Sequence, residues 1–426
     1  MGRIIGAMHP NALVDLSIEL LRAVLKFDQP TDSIVSAFFR DHRTLGSRER
    51  HALAETAYTV LRQRLLLQNF AQSGSGPLER RLAILAWQGS PSFLRTALQP
   101  HELAWLTAIE DIDHATLPEK LRHNLPDWLA GPLKETLGDE FWPLVEAMSE
   151  TAPLDLRVNL LKAKREDVQR TLTEAGFTVA PTPYSPWGLR MQGKPALHKL
   201  DVFTQGLVEV QDEGSQLLAV LTDAKRGEMV VDFCAGGGGK TLALGASMRN
   251  TGRLYAFDVS GHRLDGLKPR LARSGLSNVH PAQIAHERDD RIKRLAGKID
   301  RVLIDAPCSG LGTLRRNPDL KWRQSPKIVN DMQAKQTAIL TSAARLLKPG
   351  GRLVYATCSV LTAENEAVAD AFTAGQAEHF QVLPAQQALE AARVEPSAPL
   401  VAGPYLRLWP HRHQTDGFFA AVWQKS

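Results

Sequence analysis

Leucine and valine spacing organises the first third of the chain. Leu13, Leu16, Leu20, Leu21, Val24 and Leu25 recur at three- and four-residue intervals, the period of one helix face. Pro30 ends that run. A second helix is expected over Asp32–Arg40. A third is expected from Ser47, read as its N-cap, with Leu53, Ala57, Val60 and Leu61 on one face. Ser73-Gly74-Ser75-Gly76-Pro77 reads as a loop, and Leu78–Trp87 resumes the helical period. Pro132–Leu137 reads as a further turn with proline at its first position. With no strand alternation in this stretch, residues 1–145 are expected to form an all-α domain.

The pattern changes at Thr151-Ala152-Pro153. Leu154–Leu160 alternates as a strand, Arg165–Ala175 follows as a helix, and strand-like runs flank Pro181–Pro186. Residues 150–205 are therefore expected to be a small α+β module, and Val208–Val210 is a further strand. From about residue 215, strands and helices alternate in the doubly wound α/β manner. Strands are expected over Met229–Asp232, Arg253–Phe257, Arg301–Ile304, Arg352–Tyr355 and Phe418–Trp423. Helices are expected over Thr241–Met248, Arg263–Ser274 and Gln333–Leu347, with a turn at Lys348–Gly351. This third domain spans 206–426.

Composition narrows the function classes only a little. A chain of 426 residues favours two or three domains. The formal net charge of +5 permits an anionic partner without requiring one. No apolar run reaches the length of about 18 residues that suggests a membrane span, and Met1–Leu25 lacks the order of a secretory signal. Three cysteines cannot all pair, which points to free thiols in a reducing, cytoplasmic setting. They have no zinc-like spacing, so no metal is expected. A monomer is expected.

In a doubly wound sheet the ligand crevice lies beyond the carboxyl ends of the strands. Four loops there carry chemistry. The first is Cys234-Ala235-Gly236-Gly237-Gly238-Gly239-Lys240-Thr241, a glycine-rich turn opening a helix. Its end matches a nucleotide P-loop, but Cys234 stands where that motif needs glycine. The second is Asp258, a carboxylate suited to ribose hydroxyls or to capping a helix. The third, Asp305-Ala306-Pro307-Cys308-Ser309-Gly310, sets a carboxylate beside a thiol. It leads into Gly312–Trp322, where Arg315, Arg316 and Lys321 stand near Trp322 and suit a phosphate-and-base ligand, or a solvated loop. The fourth is Tyr355-Ala356-Thr357-Cys358-Ser359, a second thiol on the same edge.

Two thiols and a carboxylate facing a nucleoside-type cradle fit covalent methylation of a pyrimidine. A thiolate adding to carbon 6 of cytosine makes carbon 5 enamine-like and able to attack an electrophilic methyl group. Cys358 can supply the thiolate, Asp305 can hold the base, and Cys308 can assist release. The donor's ribose would lie at Asp258, with its amino-acid part near the glycine loop.

The segments Asp305–Gly310, Thr313–Trp322 and Tyr355–Ser359, followed by Glu364-Asn365-Glu366, resemble the Nol/Nop/Sun family of RNA cytosine-5 methyltransferases. Asp155–Lys162 resembles that family's RNA-contacting motif, and Val210–Ser215 fits it too. Pro410-His411 with Thr415–Phe419 resembles its C-terminal strand. The helical part is similar to the NusB-like domain of the family's bacterial branch. The resemblance implies a Rossmann-like S-adenosylmethionine-dependent methyltransferase domain acting on RNA, small-subunit ribosomal RNA in the bacterial relative. It implies Cys358 as nucleophile, Cys308 as the thiol assisting release, and Lys240 near the catalytic centre. It implies residues 234–240, Asp258, Arg263 and Asp305 as cofactor contacts. Arg157, Asn159 and Lys162, with Arg315, Arg316 and Lys321, are the expected RNA contacts.

Two departures stand out. Gly237 replaces the family's usual proline, which implies a more flexible loop. Where the family carries an aspartate after the third strand, this chain has Ile284–Asp290, leaving His286, Glu287 or Asp289 to face the adenine. Two other functions share some of these features: a non-catalytic RNA-binding or ribosome-assembly factor on the same fold, and a nucleotide triphosphatase using Gly239-Lys240-Thr241.

Overall fold

The computed structural model describes residues 9–193 and 195–426; the first eight positions of the Met1–Leu25 segment lie outside the described residues. The chain divides into two units. One comprises residues up to Glu150 together with Leu314–Ser325, and the other comprises Thr151–Thr313 with Pro326–Ser426.

The first unit is helical, as its periodicity predicts. Pro10–Val24, Thr31–Asp41 and Ser47–Arg62 bury Leu13, Leu20, Leu21, Val24, Leu53, Val60 and Leu61 in one core. Ser47 is the first helical residue, and extended Gly46 occupies the cap position. Pro132 lies inside the helix Asp127–Leu137 rather than at its start. Pro126, with φ already fixed, and the acidic Asp127 begin the helix five residues earlier.

Leu314–Ser325 joins this unit by capping two of its helices. Thr31, the first residue of its helix, donates its backbone N–H to Asp319 Oδ2 at 3.3 Å. At the other end, the bend at Gln63 frees the carbonyls of Leu61 and Arg62. Trp322 Nε1 donates to the Leu61 oxygen at 2.6 Å, and Lys321 Nζ donates to that of Arg62 at 2.7 Å. Backbone groups at helix ends have no intrahelical partner, so these side chains meet an obligatory requirement.

The second unit holds two sheets. Strands β1 (Leu154–Val158), β2 (Val179–Pro181), β3 (Gly188–Met191) and β4 (Val208–Val210) form an antiparallel sheet in the order β2-β3-β1-β4. Val208–Val210 therefore completes the small module, beyond the expected limit at residue 205.

The large sheet contains β5 (Met229–Asp232), β6 (Arg253–Asp258), β7 (Val279–Gln283), β8 (Ile299–Asp305) and β9 (Leu347–Thr357). It is completed by β10 (Phe380–Val382), β11 (Val401–Ala402), β12 (Tyr405–Leu408) and β13 (Phe418–Lys425). The order is β11-β12-β13-β9-β8-β5-β6-β7, with β10 on β13. Strands β5 to β9 are parallel, and β13 runs antiparallel to β9.

Both faces of the large sheet are buried, which explains the continuous apolar runs. Val302, Ile304, Leu353 and Tyr355 pack on one face, and Leu303, Val354 and Ala356 on the other. The expected helix ending at Leu347 instead spans Pro326–Ala344, and Leu347 begins β9. Among the described residues no helix is long and apolar enough to cross a membrane.

Candidate functional site

The glycine loop leaves β5 and is fixed at its start to the end of β6. Ala235 donates its N–H to the Phe257 oxygen, and Gly236 donates to Asp258 Oδ2, each at 2.8 Å. Gly236 and Gly238 have φ of 54° and 80°, the left-handed region that favours glycine. A Cβ on Gly238 would lie 2.1 Å from Leu267 Cδ1, whereas one on Gly236 would meet nothing within 4 Å. The loop is therefore packed at Gly238 and open at Gly236. Asp258, the last residue of β6, also accepts from the Ser260 N–H at 2.7 Å and keeps lone pairs for two hydroxyls. An open glycine cradle beside such a carboxylate fits a nucleoside-bearing cofactor.

Two arginines grip the loop from outside. Arg157 of β1 donates Nη1 to the Gly239 oxygen at 2.6 Å and also bonds Gln211. Arg270 donates Nη1 to the Gly237 oxygen at 2.5 Å and pairs with Glu209 at 3.0 Å. Arg157 is buried, which lowers its pKa to about 10, so it stays charged at neutral pH. The hydroxyl of Thr241 donates to buried Asp232 at 2.6 Å. A P-loop uses that hydroxyl on its metal ion, so its commitment here argues against triphosphatase chemistry. Burial, with the charges of Asp305 and Asp258, pushes Asp232 up to about 7 against the Thr241 bond.

Lys240, on the first turn of the helix Gly239–Ser247, places Nζ 2.6 Å from Asp305 Oδ2 at the end of β8. Burial disfavours the ammonium, but Asp305 and then the Cys358 thiolate charge more than offset it, and the lysine pKa stays above its ordinary value. Asp305 pairs with Ala356 in the β8–β9 register, so the loops after these parallel strands leave the sheet side by side. The Sγ atoms of Cys308 and Cys358 lie 3.4 Å apart. The Cys308 thiol is pushed well above its ordinary value, first by its hydrogen bond to Cys358, then by burial and by the charges of Cys358 and Glu364. Cys234 packs half-buried against the core, and burial raises its thiol pKa too.

Lys240, Asp305, Cys308 and Cys358 are thus brought together, with the glycine loop and Asp258 on the neighbouring strand ends. Arg263 is exposed on the first turn of Gly261–Ser274. The other expected contacts have internal partners. Asn159 is buried and donates Nδ2 to the oxygens of Gly206 and Ser274, at 3.0 and 2.9 Å. Lys162 Nζ reaches the oxygens of Gln205 and Arg273. Arg315 and Lys321 are buried within the helical unit, and Arg316 is half-buried in the same segment. In the segment after β7, Asp289 caps Asp290–Lys293 and accepts N–H bonds from Ala285 and Arg291, while exposed His286 accepts from Arg288 N.

Residues without an assigned role at the sequence level complete the surroundings. Glu364 and Gln336, both fully buried, meet the two cysteine loops, and Arg407 donates to the oxygens of Ser359 and Val360. The repeated Cys-Ser pair at 308–309 and 358–359, together with the Glu364-Asn365-Glu366 segment of the resemblance, is the sequence signal that points to this link. Among the described residues, no group of three or more His, Cys, Asp or Glu side chains is placed to hold a metal ion.

Comparison with known proteins agrees with this geometry. Residues 219–424 match the family described as 16S rRNA methyltransferase RsmB/F, and residues 125–198 match the ferredoxin-like domain of RsmF/B-like methyltransferases. The chain is 36% identical over 307 residues to a probable ribosomal RNA small subunit methyltransferase B of Synechocystis, covering 72% of this chain and 68% of that one. It is 30% identical over 340 residues to the Bacillus subtilis counterpart, covering 79% and 74%. The crystal structure of PH0851 superposes with a TM-score of 0.79 at 29% identity, over 98% of this chain and 99% of that one. A methyltransferase homologue from Pyrococcus horikoshii superposes at 0.62 and 30%, over 74% and 100%. S-adenosylmethionine, the methyl donor of this family, bears such a nucleoside. From fold, site and relatives together, the chain belongs to the RsmB/F family of ribosomal RNA small subunit methyltransferases.

Proposed function

We propose that the protein methylates carbon 5 of a cytosine in small-subunit ribosomal RNA through a covalent bond to Cys358. The observation that carries this reading is the 3.4 Å approach of two free thiols beside the Lys240–Asp305 pair. The names of the relatives supply the RNA class.

Cys308 keeps its proton and donates a hydrogen bond to Cys358, which carries the thiolate. The Cys358 sulfur bonds to carbon 6, and the electron pair of the 5,6 double bond shifts into the ring. Asp305, held by Lys240, accepts a hydrogen bond from the exocyclic amine and orients the base. Bound S-adenosylmethionine supplies an electrophilic methyl group for carbon 5 and leaves as its neutral thioether. Once the Cys358 charge is consumed in the carbon–sulfur bond, neither its hydrogen bond nor its charge raises Cys308 any longer; burial and Glu364 still do. Cys308 then loses its proton to water and takes the carbon 5 proton. The double bond re-forms as the Cys358 thiolate departs, and atoms and charge balance.

The test is methyl transfer from tritiated cofactor to RNA, with bisulfite sequencing to read the modified base. Cys358→Ala should abolish transfer, and Cys308→Ala should accumulate a protein–RNA adduct stable to denaturation. Wild-type activity in Cys358→Ala would reject the nucleophile.

A further inference from the structure

Each reacting cysteine is followed by a serine, and both serines converge on one buried carboxylate. Glu364 Oε2 accepts from Ser309 Oγ and from Ser359 Oγ, both at 2.5 Å. Its Oε1 accepts from the Ser309 N–H at 2.8 Å and from Gln336 Nε2 at 3.1 Å. Gln336 also donates to the Pro307 oxygen at 2.9 Å, on the same loop as Cys308. Ser309, Ser359, Gln336 and Glu364 are all essentially inaccessible to solvent. We infer that Glu364 is a positioning residue that ties the Cys308 and Cys358 loops together and sets the distance and charge asymmetry between the two thiols. This rests on the reading that these two thiols react.

The geometry separates this role from general packing. Neutral donors meet Glu364 from both loops, so its removal loosens both, leaving the Ser309–Ser359 hydroxyl contact at 3.2 Å and the Gly312 N–H bond to the Cys358 oxygen at 2.8 Å to hold them. A carboxylate buried on such donors is held rigidly, because each unmet donor would itself be costly. Its own backbone is pinned as well. Tyr355 Oη donates to the Glu364 oxygen at 2.6 Å, and the next residue, Asn365, donates Nδ2 to the Ser359 oxygen at 2.9 Å. The negative charge of Glu364 bears on Cys308, whereas the Lys240 ammonium interacts with Cys358. The Glu364 charge thereby discourages Cys308 from ionising.

The experiment labels the thiols with iodoacetamide across pH, without RNA, and quantifies Cys308 and Cys358 by peptide mass spectrometry. In Glu364→Gln the Cys308 profile should move to lower pH, read as a gain in Cys308 labelling relative to Cys358 at fixed pH. Glu364→Asp keeps the charge but shortens the reach. It should leave the Cys308 midpoint in place while lowering kcat with little change in KM. Should Glu364→Gln fail to fold, Ser309→Ala and Ser359→Ala, each losing one tether, should lower kcat severalfold with cofactor affinity intact. An unshifted Cys308 midpoint in folded Glu364→Gln, or wild-type kcat in both serine variants, overturns the proposal. The labelling readout stands even if the methylated atom is not carbon 5 of cytosine, so the two readings fail separately.

Discussion

Lys240 and Asp305 form an ion pair at 2.6 Å, yet they come from different strand–helix units: the helix after β5 and the last position of β8. The lysine is nearly enclosed and the aspartate is about one-third exposed. The carboxylate is thus the more exposed partner, and the ammonium interacts with Cys358.

Replacing Lys240 with methionine keeps most of the bulk and removes the charge. Single-turnover methyl transfer at saturating cofactor and RNA should fall by about 10²-fold or more, the scale of a lost acid–base or charge-orienting group. A rate within threefold of wild type would remove Lys240 from the mechanism.

The glycine loop allows a paired test. The φ of Gly237 is not in the left-handed region, and a Cβ there would stand 3.4 Å from Arg270 Nη1. Gly237→Pro should raise stability by about 0.4–1 kcal/mol by restricting the unfolded chain and tighten cofactor binding in calorimetry. Gly238→Ala combines a left-handed φ with a collision at Leu267, and should lower the melting temperature. A loop insensitive to both changes would contradict the packed-and-open description.

Arg157 was expected at the RNA and instead bonds the Gly239 carbonyl from a buried position. Arg157→Lys keeps the charge but not the reach and fixed donor direction of the guanidinium, whose Nη1 makes both bonds, and should weaken cofactor binding about tenfold while leaving cofactor-free RNA binding within threefold. The opposite pattern, with RNA affinity lost and cofactor affinity kept, would return the residue to the RNA.

Lys321 gives a pH signature. Burial, with the nearby Arg62 charge, lowers its pKa to about 7 in the folded chain, against 10.5 for the free side chain. Between those values the unfolded state binds more proton, so this group makes stability rise with pH, by at most about 1.4 kcal/mol per unit. Below pH 7 both states are protonated and this dependence is flat. Urea unfolding of wild type and Lys321→Met from pH 7 to 9 checks this: the slope should shrink in the variant, and equal slopes would refute it.

The sheet was legible where β strands carry uninterrupted apolar runs buried on both faces, as at Val302–Ile304. Strand β7, Val-His-Pro-Ala-Gln at the sheet edge, has no such run, because three of its five residues are exposed. The thiols, Lys240 and Asp305 were readable because strand ends in this topology converge on one crevice. Arg157, Asn159 and Lys321 were not, because burial of a charged or amide side chain depends on backbone carbonyls far along the chain. Lys162 likewise spends its ammonium on two such carbonyls. Local pattern carries no record of those partners.

The caps supplied by Leu314–Ser325 also bear on synthesis. The carbonyl of Arg62 waits for Lys321, 259 positions later, and that of Leu61 for Trp322, 261 positions later. At a translation rate of about 5–20 residues per second, the nascent helical bundle spends roughly 10–50 s with those ends open. An amino-terminal fragment ending at residue 150 would remain in that unfinished state permanently.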